Sequence, residues 1–215
     1  MSVRIPVSLI AEPEAHRPPS NFVPKLAWPS LDSSNAPADL GRFPRWDEER
    51  RRHAAGEFEA WSDEFMVALE RARKRVWLID GFLLKADGRA KATFFQVFER
   101  ALASTRAEDI RLIIGPKAGH HEQIASLREL EAARRQPPRR DSFAIEIQTV
   151  REGKSPVRLP HDRFAVIDSE LWHWGANVGG THHEVNAYSR GWSSRETGAE
   201  EYFLRLWKYL KDASV

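Results

Sequence analysis

From residue 47 onward, the hydrophobic positions follow two spacings in turn, that of amphipathic helices and that of buried strands. Apolar residues at helical spacing predict helices around residues 47–72, 94–102, 122–135 and 202–210. Short apolar or alternating runs predict strands at residues 76–84, 111–115, 143–150, 163–168 and 171–178. Strands that alternate with helices predict an α/β domain with a mixed sheet flanked by helices.

The first 45 residues do not follow this pattern. They hold eight of the thirteen prolines, and a segment so rich in proline cannot sustain a helix or a central strand. Apolar residues such as Phe22 and Trp28 indicate that the segment packs on the body or on a partner. We therefore predict a proline-rich arm over residues 1–45 and one folded domain over residues 46–215.

The composition excludes several classes of protein. Without cysteine there is no disulfide framework, zinc ribbon, Fe–S cluster or thiol nucleophile. The apolar runs are far shorter than the roughly 18 residues of a membrane span, so we expect no membrane partner. The opening residues lack the apolar core of a secretion signal, which predicts a cytoplasmic protein.

Charge is unevenly distributed, although the formal net charge is only +2. Residues 134–163 hold eight basic and four acidic side chains. Such a stretch is compatible with a polyanion such as nucleic acid, and equally with a solvated loop.

The most informative stretch is HDRFAVIDSELWHWGANVGG, residues 161–180. Strand alternation would place His161 and Arg163 on one face, and a hairpin would bring Gly175 and Asn177 to the same end of the sheet. A cation and an amide suit the oxygens of a phosphate, while an imidazole can attack phosphorus or protonate a leaving oxygen. The alternative is an ordinary hairpin with a buried histidine.

In its spacing this stretch resembles the signature of the phospholipase D superfamily. That signature is His-x-Lys, four residues, Asp, six residues, then Gly-Ser-x-Asn. His161, Arg163, Asp168 and Gly175 fall in its register. Arginine replaces the lysine.

Two further positions depart from the signature. Ala176 stands at the serine, and Asn177 lies one position before the asparagine.

The resemblance implies a phospholipase D-like fold and phosphodiester transfer that needs no metal or cofactor. His161 would be the nucleophile or acid, Arg163 the phosphate clamp, and Asp168 a structural or orienting group. The family uses two histidines on opposite sides of one phosphorus, and this chain has one recognisable motif. The resemblance therefore predicts a homodimer with His161 of both chains in one cleft.

Other residues are weaker candidates for the same site. His182 and His183 could add polar groups to it, with Glu184 as an orienting carboxylate. Asp80, inside an apolar run, either points into the site or caps a turn. Trp172, Trp174 and Trp192 are expected in the core, or one of them stacks on a base or sugar.

Together these observations predict a phosphodiesterase, and in particular a nuclease. The alternative is a catalytically silent subunit that binds nucleic acid or a protein partner in a larger assembly. A lipid phosphodiesterase would need a membrane-docking segment, and none is visible in the sequence.

Overall fold

The computed structural model describes seven parts of the chain. They are residues 25–27, 63–84, 89–115, 121–135, 143–150, 159–180 and 187–213.

Four helices and seven strands lie in the described residues. The helices are α1 (Asp63–Arg71), α2 (Arg89–Ser104), α3 (His121–Arg135) and α4 (Ala199–Asp212). The strands are β1 (Lys25–Ala27), β2 (Arg75–Asp80), β3 (Asp109–Ile114), β4 (Ala144–Thr149), β5 (Arg163–Ile167), β6 (Glu170–Trp174) and β7 (Tyr188–Ser193). A short 3₁₀ turn covers Val178–Gly180.

The strands form one mixed sheet in the order β1-β7-β6-β5-β2-β3-β4. The pairs β2/β3 and β3/β4 are parallel, with α2 and α3 as the crossovers, and the other pairs are antiparallel. The carboxyl ends of β2, β3 and β4 therefore share one edge with the start of β5 and the end of β6. This edge is called the carboxyl edge below.

Helices cover both faces of the sheet. Buried side chains of α1, α2 and α3, such as Phe65, Phe98 and Leu127, pack in one core with alternate residues of the central strands. The opposite core contains Trp77 and Phe203, which stack with ring centroids 5.0 Å apart. The buried positions of α4 are Phe203, Leu206, Trp207 and Leu210, spaced as one face of a helix.

Two glycines let backbone and side chains pack closely near the carboxyl edge. A Cβ on Gly115 would lie 2.5 Å from the carbonyl oxygen of Gly81, so only glycine fits where β2 and β3 end. Gly179 has a φ of 80°, and a Cβ there would lie 2.3 Å from Cε2 of Phe94. Both positions keep the loops at this edge close to the sheet.

The predicted α/β class, a mixed sheet flanked by helices, is confirmed. The predicted strand over residues 76–84 is shorter in the structure, because β2 ends at Asp80 and residues 81–84 form a turn. The prediction missed β7, and Lys25–Ala27 of the predicted arm adds an antiparallel edge strand to it. An edge strand has one unpaired side, so a three-residue strand among prolines is compatible with the sheet. The boundary at residue 45 stays a prediction.

None of the helices among the described residues combines the length and apolar character that a bilayer span demands.

Candidate functional site

The carboxyl edge brings the ends of three neighbouring strands together. Ile79 of β2 pairs with Phe164 of β5, and Arg163 pairs with Trp174 of β6. Asp80, Arg163 and the loop that follows Trp174 are thus adjacent in space. The sequence predicted a hairpin that brings Gly175 and Asn177 to one end of the sheet, and β5 and β6 form that hairpin.

Asp80 is the buried centre of this edge, with a relative exposure of 0%. Its Oδ1 accepts a hydrogen bond of 2.7 Å from the backbone N–H of Phe82, and its Oδ2 accepts one of 2.7 Å from the backbone N–H of Val178. The sequence left open whether Asp80 caps a turn or points into the site. In the structure it caps the turn at residues 81–84 and also lies beside Arg163. One carboxylate therefore fixes two loops at the carboxyl edge.

Arg163 lies beside this carboxylate. Its Nε is 3.9 Å from Oδ1 of Asp80, and its side chain is only 11% exposed. Its Nη1 donates a hydrogen bond to the backbone carbonyl of His161, and its Cζ lies 5.2 Å from the ring centroid of Phe82. The guanidinium therefore holds the backbone of His161, while part of its charge is balanced inside the fold.

His161 precedes β5 rather than lying within it, and its side chain is 86% exposed. Its Nδ1 lies 3.9 Å from Oδ1 of Asp162. The sequence predicted His161 and Arg163 on one strand face. In the structure Arg163 contacts the main chain of His161, and the imidazole is open to solvent at the carboxyl edge.

The loop Gly175–Asn177 lies next to the start of β5. Gly175 is exposed, whereas Asn177 is buried. The following residue, Val178, is held by Asp80 through its backbone N–H. Gly175 is thus open to a ligand at this edge, and Asn177 lies in the wall beneath it.

Asp168 lies at the opposite end of β5 from Arg163. Its carboxylate accepts hydrogen bonds from the backbone N–H groups of Arg73, Lys74 and Arg75, the shortest being 2.7 Å to Lys74. Its own backbone has a φ of 55°, which aspartate tolerates better than most residues. Asp168 is therefore far from His161, and the role that the resemblance implies for it stays a prediction.

The remaining candidates divide between the core and undescribed segments. Trp172 and Trp174 are buried and stack with centroids 6.0 Å apart, as core residues do, whereas Trp192 is exposed on β7. His182, His183 and Glu184 lie outside the described residues. Among the residues that are described, no group of three or more histidine, cysteine, aspartate or glutamate side chains could hold a metal ion.

Some arginines of the basic stretch at residues 134–163 bond to backbone groups within the fold. Arg134 donates to the carbonyl oxygens of Leu102 and Thr105 at 2.9 and 2.7 Å, and so caps the end of α2. Arg135 donates to the carbonyl oxygen of Phe143 at 2.8 Å. With Arg163, three of the eight basic residues thus make contacts within the fold. The other five lie outside the described residues.

Two residues near His161 were missed at the sequence level. Oδ2 of Asp162 lies 3.7 Å from Nε2 of His173 on β6. A two-residue turn at residues 168–169 would have revealed their contact. Ile167 pairs with Glu170 across this turn, and the turn sets the register of the whole hairpin. Taking the strand as residues 163–168 hid this register.

Comparisons with known proteins leave the function open. No protein-family model and no curated protein matches the sequence. Among solved structures, the chain is similar to TrmBL2, an archaeal chromatin protein described as binding DNA in a novel mode. The TM-score is 0.43 at 10% identity, over 68% of this chain and 48% of that one.

It is also similar to phosphatidylserine synthase of Haemophilus influenzae Rd KW20. That match has a TM-score of 0.42 at 13% identity, over 66% of this chain and 34% of the synthase. The chain thus spans less than half the length of either protein. TM-scores below 0.5 do not establish a common fold, so the function has to be argued from the residues of this chain.

Proposed function

We propose that this chain is a phospholipase D-like phosphodiesterase that acts on nucleic acid without a metal ion, with His161 as the reacting group. The observation that carries the proposal is the exposed imidazole of His161, whose backbone Arg163 holds at the carboxyl edge of the sheet. Ligands of open α/β sheets bind outside the carboxyl ends of the strands, which is where this imidazole lies.

The chemistry needs one reacting nitrogen and one proton donor. A ring nitrogen of His161 attacks phosphorus, the bond from phosphorus to the leaving oxygen breaks, and that oxygen takes a proton from a second acid. Water then releases the phosphoryl group from the histidine. Arg163, 3.9 Å from Asp80, holds the backbone of the nucleophile and adds positive charge behind the phosphate.

The second acid is proposed to be His161 of a second copy, as the family resemblance implies. A two-fold interface places identical residues opposite each other, so two copies of this exposed edge would give two imidazoles to one phosphate. Light scattering tests the dimer. Mixing His161→Ala with wild-type subunits tests the shared site, because mixed dimers should then lose activity. Full activity per wild-type chain in the mixture would contradict sharing.

Nucleic acid is proposed as the substrate because phosphodiester chemistry here is accompanied by a basic stretch. The five basic residues that lie outside the described residues, Arg139, Arg140, Arg151, Lys154 and Arg158, would supply the phosphate contacts. Neutralising them should weaken binding to DNA and RNA and reduce its salt dependence.

The deciding experiment is an assay in EDTA with single-stranded DNA, double-stranded DNA, RNA and a chromogenic phosphodiester. His161→Ala should lower turnover by about 100-fold or more, since acid–base and nucleophilic groups typically contribute about 10²-fold to 10⁴-fold. The control variant is Glu201→Gln, which changes an exposed side chain next to Glu200, the partner of Arg75 at the other edge of the sheet, and should leave turnover within about twofold. Undiminished hydrolysis by folded His161→Ala would overturn the proposal.

One observation favours a second candidate, a domain that binds phosphodiesters without cleaving them. Arg163 is largely buried against Asp80 and is bonded to a backbone carbonyl, so part of its charge is already engaged. Wild-type protein that binds nucleic acid with a steep salt dependence and shows no hydrolysis on any of the four substrates would support this candidate.

A further inference from the structure

Asp162 lies between two histidines at the carboxyl edge. Its Oδ1 is 3.9 Å from Nδ1 of His161, and its Oδ2 is 3.7 Å from Nε2 of His173. Each carboxylate oxygen therefore faces a different imidazole. Among the described residues, this side-chain cluster is not explained by the packing of the core, because all three side chains are substantially exposed.

The cluster is built on the β5–β6 hairpin. His173 is opposite Phe164 in the register, so its side chain projects from the same sheet face as Phe164. Asp162 lies just before β5, and its contact of 3.7 Å with His173 places its carboxylate on that face too. His173 is the most sheltered of the three, with a side chain 42% exposed against 66% for Asp162. It provides a strand-anchored contact for the carboxylate.

His161 needs such a contact if it is to react. Arg163 fixes the carbonyl of His161 but does not hold the ring, which is 86% exposed. A nucleophilic histidine must present an unprotonated nitrogen in a fixed direction, and the partner of the other nitrogen selects the tautomer. A carboxylate beside Nδ1 favours the proton on Nδ1 and leaves Nε2 as the nucleophile.

We propose that Asp162 is a positioning residue that orients the imidazole of His161, and that His173 holds the carboxylate of Asp162 from the other side. This inference rests on the proposed function and adds two residues to its site. The distances exceed the 2.7 to 3.2 Å of a hydrogen bond, and such contacts commonly shorten when substrate binds.

The arrangement predicts which nitrogen of His161 carries the proton. NMR of ¹⁵N-labelled wild-type protein, at a pH where His161 is neutral, should show the Nδ1–H form as the major one. Asp162→Asn should raise the Nε2–H fraction, and Asp162→Glu should restore part of the Nδ1–H fraction. Asp212→Asn removes an exposed carboxylate at the end of α4 and should change nothing.

The kinetic consequence is a loss of rate rather than of binding. Asp162→Asn should lower kcat by about 10-fold to 100-fold, the range found when the carboxylate partner of a metal-bound histidine is removed, with KM within about twofold. His173→Gln should lower kcat less, because Asp162 itself remains. Circular dichroism checks that each variant is folded.

The outcomes separate this inference from the proposed function. Activity that His161→Ala abolishes and Asp162→Asn leaves unchanged would overturn the positioning role and keep the phosphodiesterase. Wild-type protein without activity would overturn the phosphodiesterase, and the tautomer measurement would still decide the contact. A dominant Nε2–H form in the wild type, or a ratio that Asp162→Asn does not alter, would overturn the inference.

Discussion

Asp80→Asn tests whether one buried carboxylate organises the carboxyl edge. Asp80 is fully buried, accepts backbone hydrogen bonds from Phe82 and Val178, and lies 3.9 Å from Arg163. Asparagine has nearly the same shape but only one acceptor oxygen and no charge. Its NH₂ group would then face one of the two backbone N–H donors, and Arg163 would lose its nearby anion.

The expected cost follows from these contacts. A hydrogen bond to a charged group contributes about 1.5 to 3 kcal/mol, and one of the two is lost outright. Removal of one partner from a buried ion pair costs about 3 to 5 kcal/mol. The two estimates overlap because they share the same carboxylate, so we expect about 3 to 5 kcal/mol in all. For a domain of this size that lowers Tm by about 6 to 20 °C.

Urea unfolding followed by tryptophan fluorescence and circular dichroism measures the effect. Asp162→Asn is the matched control, because its exposed carboxylate should contribute less than about 0.5 kcal/mol to stability. A double-mutant cycle with Arg163→Gln isolates the pair and should show a coupling of about 1 kcal/mol or more. Equal stability of Asp80→Asn and Asp162→Asn, or zero coupling to Arg163, would show that Asp80 does not organise this edge.

Two further predictions concern the packing and the pH dependence of the fold. Gly115→Ala should destabilise the protein by about 1 to 3 kcal/mol, since the new Cβ would lie 2.5 Å from a backbone oxygen of Gly81. Gly81→Ala, whose Cβ would meet nothing closer than 3.6 Å, should stay within about 1 kcal/mol of wild type in the same denaturation assay. Equal losses would contradict the steric argument. The hydrogen bonds from Arg75 hold the pKa of Glu200 below its usual value. The contribution of this pair to the stability of the fold is therefore fully present above the unfolded pKa of about 4.3. It is lost as the pH falls through the folded pKa. Glu200→Gln should therefore be about 1 kcal/mol less stable than wild type at pH 7, and this difference in stability should disappear at acidic pH. Glu201→Gln should show no such difference. A difference that does not depend on pH would contradict the assignment.

Local patterns in the sequence were enough to predict the α/β class and most of the elements. The spacing of apolar residues shows which face of a helix or strand is buried, and it can be read without knowing the neighbouring elements. Examples are the helical spacing in residues 202–210 and the apolar run in residues 111–115. The motif from His161 to Gly175 was also visible, because its residues are close in the chain.

Which of these residues meet depends on how the strands are ordered in the sheet. Asp168 is bonded to backbone groups of residues 73–75, more than 90 positions away, and Asp80 is bonded to Val178. Such partners depend on strand order, which local periodicity does not encode. In the same way, Arg134 belongs to a basic stretch in the sequence and caps the end of α2 in the fold.

The cluster of His161, Asp162 and His173 depends both on local sequence and on strand pairing. Its residues are near one another in the chain, but a register error of one residue would turn His173 to the opposite face of the sheet. The two-residue turn after Ile167 sets that register. The sequence therefore supplied the residue types, but Asp162 and His173 were missed because the direction of a strand side chain follows the register and not the residue type.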